Sequence, residues 1–243
     1  MKKRTSIAEM NAICSMLIED FLRRYRYTNT KVVDIETFVT RYLRTKIVYE
    51  DFAVDVPGRG GFISDGREAL PVLRDGIRQF VIFPANVIVI DSSLKGLDNL
   101  AKLRFTIAHE AAHYIMGKHV SGDFTAAFHT EFVDGEYYTP QMLKEMLSMT
   151  ETITNRAAAC LLMPEFIVKK MLNKYNNGNK VTVYTGSEVV IPNSSKSTIQ
   201  MMADSMGVSF STCYYRLKEL SILDRRPIEE YAATFINEEA GYV

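Results

Sequence analysis

Apolar residues recur at Ile7, Met10, Ile13, Cys14, Leu17 and Phe21. That three- and four-residue spacing predicts a helix over residues 5–25 with one inward face. A second helix is predicted to start from an N-cap at Asp34 and to run through Leu43. The pattern then changes. KIVYEDFAVD (46–55), GGFISDG (60–66) and QFVIFPANVIVIDSSL (79–94) are rich in β-branched and aromatic residues and punctuated by Gly and Pro. They read as three or four short strands. Asp91–Ser93 and Asp98 prepare a helix that starts near Asn99. Another helical pattern covers 140–174 and breaks at Pro164. NKYNNGNK supplies turn residues, VTVYTGSEVVI reads as a hairpin, and Pro192 with three serines leads into a last helical region. No internal repeat or low-complexity tract interrupts this order. The elements describe an α+β fold, a small twisted sheet packed on a mainly helical body. Residues 1–178 form the first expected domain. Residues 179–243, a hairpin followed by helices, form a C-terminal region packed on it.

Composition narrows the class of protein without naming a function. The chain of 243 residues is 47% hydrophobic and 24% charged, long enough to bury a proper core. Lys plus Arg equals Asp plus Glu at 29 each, so the formal net charge is zero. No general electrostatic attraction to nucleic acid or to an anionic membrane is expected from that balance. Lys2, Lys3 and Arg4 are basic, but Glu9, Asn11, Glu19 and Asp20 break up the apolar residues after them, so a targeting signal is not expected. No stretch approaches the roughly 20 apolar residues of a membrane span. The three cysteines, Cys14, Cys160 and Cys213, are isolated and suggest neither a disulfide framework nor a thiolate zinc site. A cytoplasmic location is expected.

One stretch carries specific chemistry. FTIAHEAAHYIMGKH (105–119) holds three of the four histidines, two of them as H-E-x-x-H. Residues four apart on a helix lie about 6 Å apart along the axis on nearly one face, so His109 and His113 can aim two imidazoles at one point. Neutral imidazole suits zinc, and Glu110, one residue on, flanks such a site as a general base for an attacking water. The motif arises by chance on the order of once per hundred chains of this length. Its apolar setting of Phe105, Ile107, Ala108, Ala111, Ala112, Ile115 and Met116 argues against two solvent-facing histidines.

A hydrolytic zinc site needs a third protein ligand and an open position. His119 lies where an H-E-x-x-H-x-x-G-x-x-H pattern places its third histidine. The glycine that turns the chain back is missing, however. Position 116 is Met, and Gly117 is displaced by one. Glu151 is the alternative, with Asn155 four residues on to hydrogen-bond a ligand histidine. Glu151 can equally be a carboxylate favoured near a helix N-terminus. Spacing alone leaves both open.

LRFTIAHEAAHYIMGKH followed by ETITNRAAACLLMP resembles the ImmA/IrrE family of zinc metallopeptidases. That family shows R-x-F-T-x-A-H-E-x-G-H and then E-x-E-A-N-x-F-A-A-x-L-L-M-P. The resemblance spans most of 34–223 and is concentrated in those two blocks. It implies His109, His113 and Glu151 as metal ligands, Glu110 as catalytic base, one Zn2+ per chain, and His119 only as a fallback. Ala112 departs from the usual glycine, Ile153 from a second glutamate, Thr154 from alanine and Ala157 from phenylalanine. The implied activity is an intracellular zinc endopeptidase. Its implied substrate is a helix-turn-helix repressor of a mobile element or stress regulon.

Ala203, Gly207 and Ser209 in IQMMADSMGVSFSTCYYRLKEL resemble a helix-turn-helix, with small residues where helices meet. A DNA-binding regulator with a structural or sensory metal is therefore the competing reading, and a non-peptidase zinc hydrolase a third. Only Arg216 and Lys218 are basic on the would-be recognition helix, so direct nucleic-acid binding is not expected. Tyr137, Tyr138 and His129 are candidate oxyanion stabilisers. Phe124, Phe128, Phe132, Tyr137 and Tyr138 are candidate docking anchors. Met142, Met146 and Met149 read as an adaptable surface or as core filler.

Overall fold

The structure, a computed structural model, describes residues 7–53, 60–119 and 140–231; the side chains of Ile7, of His119 and of residues 140–150 fall outside that description. Two compact units divide at Pro164, Met1–Pro164 and Glu165–Val243.

In the first unit, α1 (Ile7–Arg24) buries Met10, Cys14 and Phe21 of the predicted face together with Ile18, while Ile13 and Leu17 are half-buried. Asp34 caps α2 (Ile35–Thr37) by accepting from the Thr37 N–H at 3.0 Å. That helix passes straight into a π-helical turn, Phe38–Tyr42. Five strands come next: β1 (Ile47–Phe52), β2 (Gly61–Ile63), β3 (Ala69–Arg74), β4 (Ile77–Ile82) and β5 (Ile88–Asp91). They form one mixed sheet in the order β2-β5-β1-β3-β4, in which only β1 and β5 run parallel. Phe52, Phe62, Leu70, Val72, Phe83, Val87 and Val89 form a buried cluster on this sheet. Strand β3 goes beyond the sequence expectation. It pairs with β4 through a two-residue turn at Asp75-Gly76, both with positive φ, the geometry of a tight hairpin.

The helices α3 (Leu100–His119) and α4 (Pro140–Leu162) pack together in this unit; α3 also meets β2 and β5, and α1 meets α4. Alanines explain how closely the two long helices can approach. Ala108, Ala111 and Ala112 on α3 are fully buried, as is Ala158 on α4, and almost so Ala157.

The second unit holds α5 (Glu165–Asn176), β6 (Val181–Thr185), β7 (Val189–Val190), α6 (Asn193–Met206), α7 (Phe210–Glu219) and β8 (Leu223–Pro227). The sequence places α5 before an expected boundary at 178, whereas the folded helix groups with the C-terminal elements. The expected hairpin is the β6–β7 pair, and it gains a parallel third strand, β8, along β6. Gly207, at φ 65°, ends α6, and the Ser209 side chain caps α7 through the Thr212 N–H. With its small mixed sheets beside a mainly helical body, the chain has the α+β architecture expected.

Candidate metal centre

His109, Glu110 and His113 lie in the middle of α3, in a run with neither Gly nor Pro before Gly117. Glu151 and Asn155 lie one turn apart on α4, on the face toward α3. The small alanines of both helices bring these side chains within reach of each other. His109 Nε2 is 3.1 Å from His113 Nε2 and 3.1 Å from Glu151 Oε2, and His113 Nε2 is 3.5 Å from Glu151 Oε1. The three ligating atoms all lie within 4.8 Å of one another, so they form a group able to hold a metal ion.

The tautomer tests whether a cation fits. His109 Nδ1 lies 3.0 Å from Asn155 Oδ1, which can only accept, so Nδ1 carries the proton. The Nε2 lone pair then faces a second imidazole nitrogen and a carboxylate oxygen. Lone pairs facing one another at hydrogen-bond distance need a proton or a cation between them. Tetrahedral zinc with bonds near 2.05 Å separates its ligands by roughly 3.3 Å, close to the gaps seen here. The residues fit the ion.

Electrostatics follow from the same contacts. Hydrogen bonds from His109 and then His113 hold the Glu151 carboxyl far below the ordinary carboxylate range. Burial works against a charged His109, but Glu151 and Glu110 outweigh it and raise its pKa. Glu110 is only 6% exposed, and burial pushes its carboxyl up, partly offset by the two imidazoles and by an N–H from Ile63 of β2.

That strand contact is the part of the site that sequence reasoning missed. A Cβ added at Gly61 would stand 2.6 Å from Thr106 Cγ2, 2.9 Å from Glu110 Cγ and 3.0 Å from its Oε1. Gly61 therefore lets β2 lie flush against the carboxylate. The available signal was Gly60-Gly61 opening a short apolar strand, where glycine marks close backbone approach.

The remaining candidates divide plainly. The backbone of α3 stays helical to His119, without the sharp turn that would return a third histidine to the metal, and the His119 side chain lies outside the described residues. His129, Tyr137, Tyr138, Phe124, Phe128 and Phe132 lie outside them too, as do the side chains of Met142, Met146 and Met149. In the helix-turn-helix-like pair, Ala203 is fully buried. Arg216 of α7 is 1% exposed and paired with Glu219 at 3.0 Å. Of the two basic residues on that helix, this leaves Lys218 on the surface.

No helix among the described residues is long and apolar enough to cross a membrane. No curated protein sequence matches the chain. Residues 74–218, more than half of it, match the peptidase M78 family described as the IrrE N-terminal-like domain. The match takes in the histidine pair, Glu110 and Glu151, and by that measure the chain belongs to the M78, IrrE-like family of metallopeptidases.

Proposed function

We propose that the protein is an intracellular zinc endopeptidase, with His109, His113 and Glu151 as ligands and Glu110 as the catalytic base. The observation that carries this reading is the convergence of three lone-pair donors beside a buried, strand-braced carboxylate. When bound, zinc supplies Lewis acidity toward a peptide carbonyl and lowers the pKa of water. Glu110 accepts the proton of the attacking water and passes it to the leaving amine. The Ile63 N–H holds that carboxylate in place, and burial keeps it basic enough for the transfer. Asn155 fixes the His109 ring so that Nε2 faces the metal.

The substrate we propose is a helix-turn-helix repressor of a mobile element or stress regulon, after the family resemblance. The burial of Arg216 supports a protein partner over direct reading of DNA, because a buried guanidinium cannot reach phosphate. The test has two parts. Elemental analysis should find about one zinc per chain, lost in His109→Ala, His113→Ala and Glu151→Ala but kept in His119→Ala. The protein is then incubated with the regulator encoded beside it, and the products are read by mass spectrometry. Specific promoter binding by this chain, with the regulator left intact, would refute the proposal and favour a DNA-binding regulator.

A further inference from the structure

The edge of the first unit's sheet formed by β4 is unusual for an edge strand. Ile77, Phe80 and Ile82 are 65%, 67% and 58% exposed on a strand of six residues. Such edges are commonly protected by charge, proline or a bulge, because their backbone groups can template pairing. Here the only charge on the strand is Arg78, whose guanidinium lies over its own neighbour, Phe80.

The hydrogen-bond directions of this edge follow from β3. The Pro71 carbonyl accepts from the Ala53 N–H, so Pro71 directs its backbone polar groups toward β1. Leu70 and Val72 therefore face β4, where they pair with Val81 and Gln79. Along β4 the residues between, Arg78, Phe80 and Ile82, direct their N–H and C=O groups outward. Among the described residues no strand lies beyond them.

The geometry points to a second copy of this chain as the occupant, pairing antiparallel through β4 about a two-fold axis at Phe80. The outward-facing positions are symmetric about Phe80. It would exchange two hydrogen bonds with its own counterpart, and Arg78 would oppose Ile82 at both ends. The two sheets would then join with Phe80 and Ile82 of both copies on one face. Each arginine meets an apolar side chain, so no like charges oppose each other in this register. A charged or proline-bearing segment would be a poorer partner for the same edge. Three side chains at this exposure bury on the order of a few hundred Å² per copy, below the roughly 800 Å² of a standard interface. The dimer is accordingly weak and concentration-dependent, with a dissociation constant in the micromolar range or above.

The inference does not rest on the peptidase reading and is tested apart from it. Sedimentation velocity of the full chain from roughly 1 to 500 µM should show the mass rise from 27.6 kDa toward twice that value. Phe80→Asp and Ile82→Lys should each remain monomeric throughout, with circular dichroism and zinc content unchanged. A spin label on Gln79→Cys adds the register, since the three native cysteines are buried. Gln79 would face Val81 of the other copy, placing the two labelled backbones about 7–8 Å apart, and strong dipolar broadening is expected. A monomer at every concentration overturns the proposal and leaves the edge to an extended segment of another protein. A dimer that survives both substitutions, or shows no broadening, overturns it as well.

Discussion

Helices α3 and α7 both bury ionisable side chains, and they do so to different ends. On α7, Arg216 is almost fully buried, but Glu219, one turn along the same helix, pairs with its charge. The counter-charge comes from within the same helix. On α3, His109 and His113 turn their Nε2 atoms toward each other and toward a carboxylate from another helix, and Glu110 is buried alongside. That arrangement draws on two helices, and its three candidate ligand atoms lie close enough to share one cation. A buried charge with a counter-charge on its own helix reads as structure. Imidazole nitrogens and a carboxylate that converge from two helices read as a metal-binding group.

The sharpest way to break this contrast is to remove chemistry from α3 while leaving its ligands. Glu110→Gln should keep zinc and fold but lose about 10² to 10⁴ in the rate of regulator cleavage, read in single-turnover assays. Undiminished cleavage would mean that the buried carboxylate is only structural.

On α7 the reverse is expected. Glu219→Ala leaves the Arg216 guanidinium without that counter-charge and should cost roughly 1–3 kcal/mol, seen as a lower midpoint in urea unfolding. Zinc content should not change. Loss of metal in this variant would show that the α7 pair serves the site after all.

Asn155→Leu sharpens the comparison within the first unit. It removes the acceptor that fixes the His109 tautomer while leaving every ligand, and should weaken zinc binding about 10- to 100-fold in a chelator competition. An unchanged affinity would mean that packing alone holds the ring.

The smallest effect is electrostatic. Burial raises the Glu110 pKa in the folded protein, so the folded state binds that proton more tightly than the unfolded one. The stability it contributes is present below the ordinary glutamate pKa and is lost as pH rises through the raised folded value. In metal-stripped protein, Glu110→Gln should therefore melt a few degrees higher than the parent at pH 8. The two should coincide near pH 4. A constant offset across that range would point to packing instead of charge.

Much of this was legible in the chain itself, where the causes were local. The apolar spacing of α1, the Asp34 cap, the break at Pro164 and the β6–β7 hairpin are short-range patterns, and the structure has them all. The histidine pair is likewise a property of one helix. Strand β3 was obscured by Pro71, which argues against an interior strand. It is tolerated because its missing N–H falls opposite Ala53, just beyond the end of β1. Asp75-Gly76 was the unused hairpin signal. Strand β8, with Asp224, Arg225 and Arg226, has little apolar pattern, and its pairing is set by β6, about forty residues earlier. The brace on Glu110 was hidden for the same reason, since Ile63 and Gly61 lie more than forty positions away.

The His109–Asn155 contact also has a consequence for how metal uptake would look in a calorimeter. With Nδ1 committed to Asn155, the place for an extra proton is Nε2, held against Glu151, and that contact together with the Glu110 charge raises the His109 pKa. A divalent ion held by His109, His113 and Glu151 would displace that proton, so loading the site and acidifying the medium would be a single event. The apparent heat of loading will then change with the ionisation enthalpy of the buffer. Over the acidic range where His109 holds its proton, affinity will climb with each step in pH. The slope counts the protons released from the ligand set as a thermodynamic quantity.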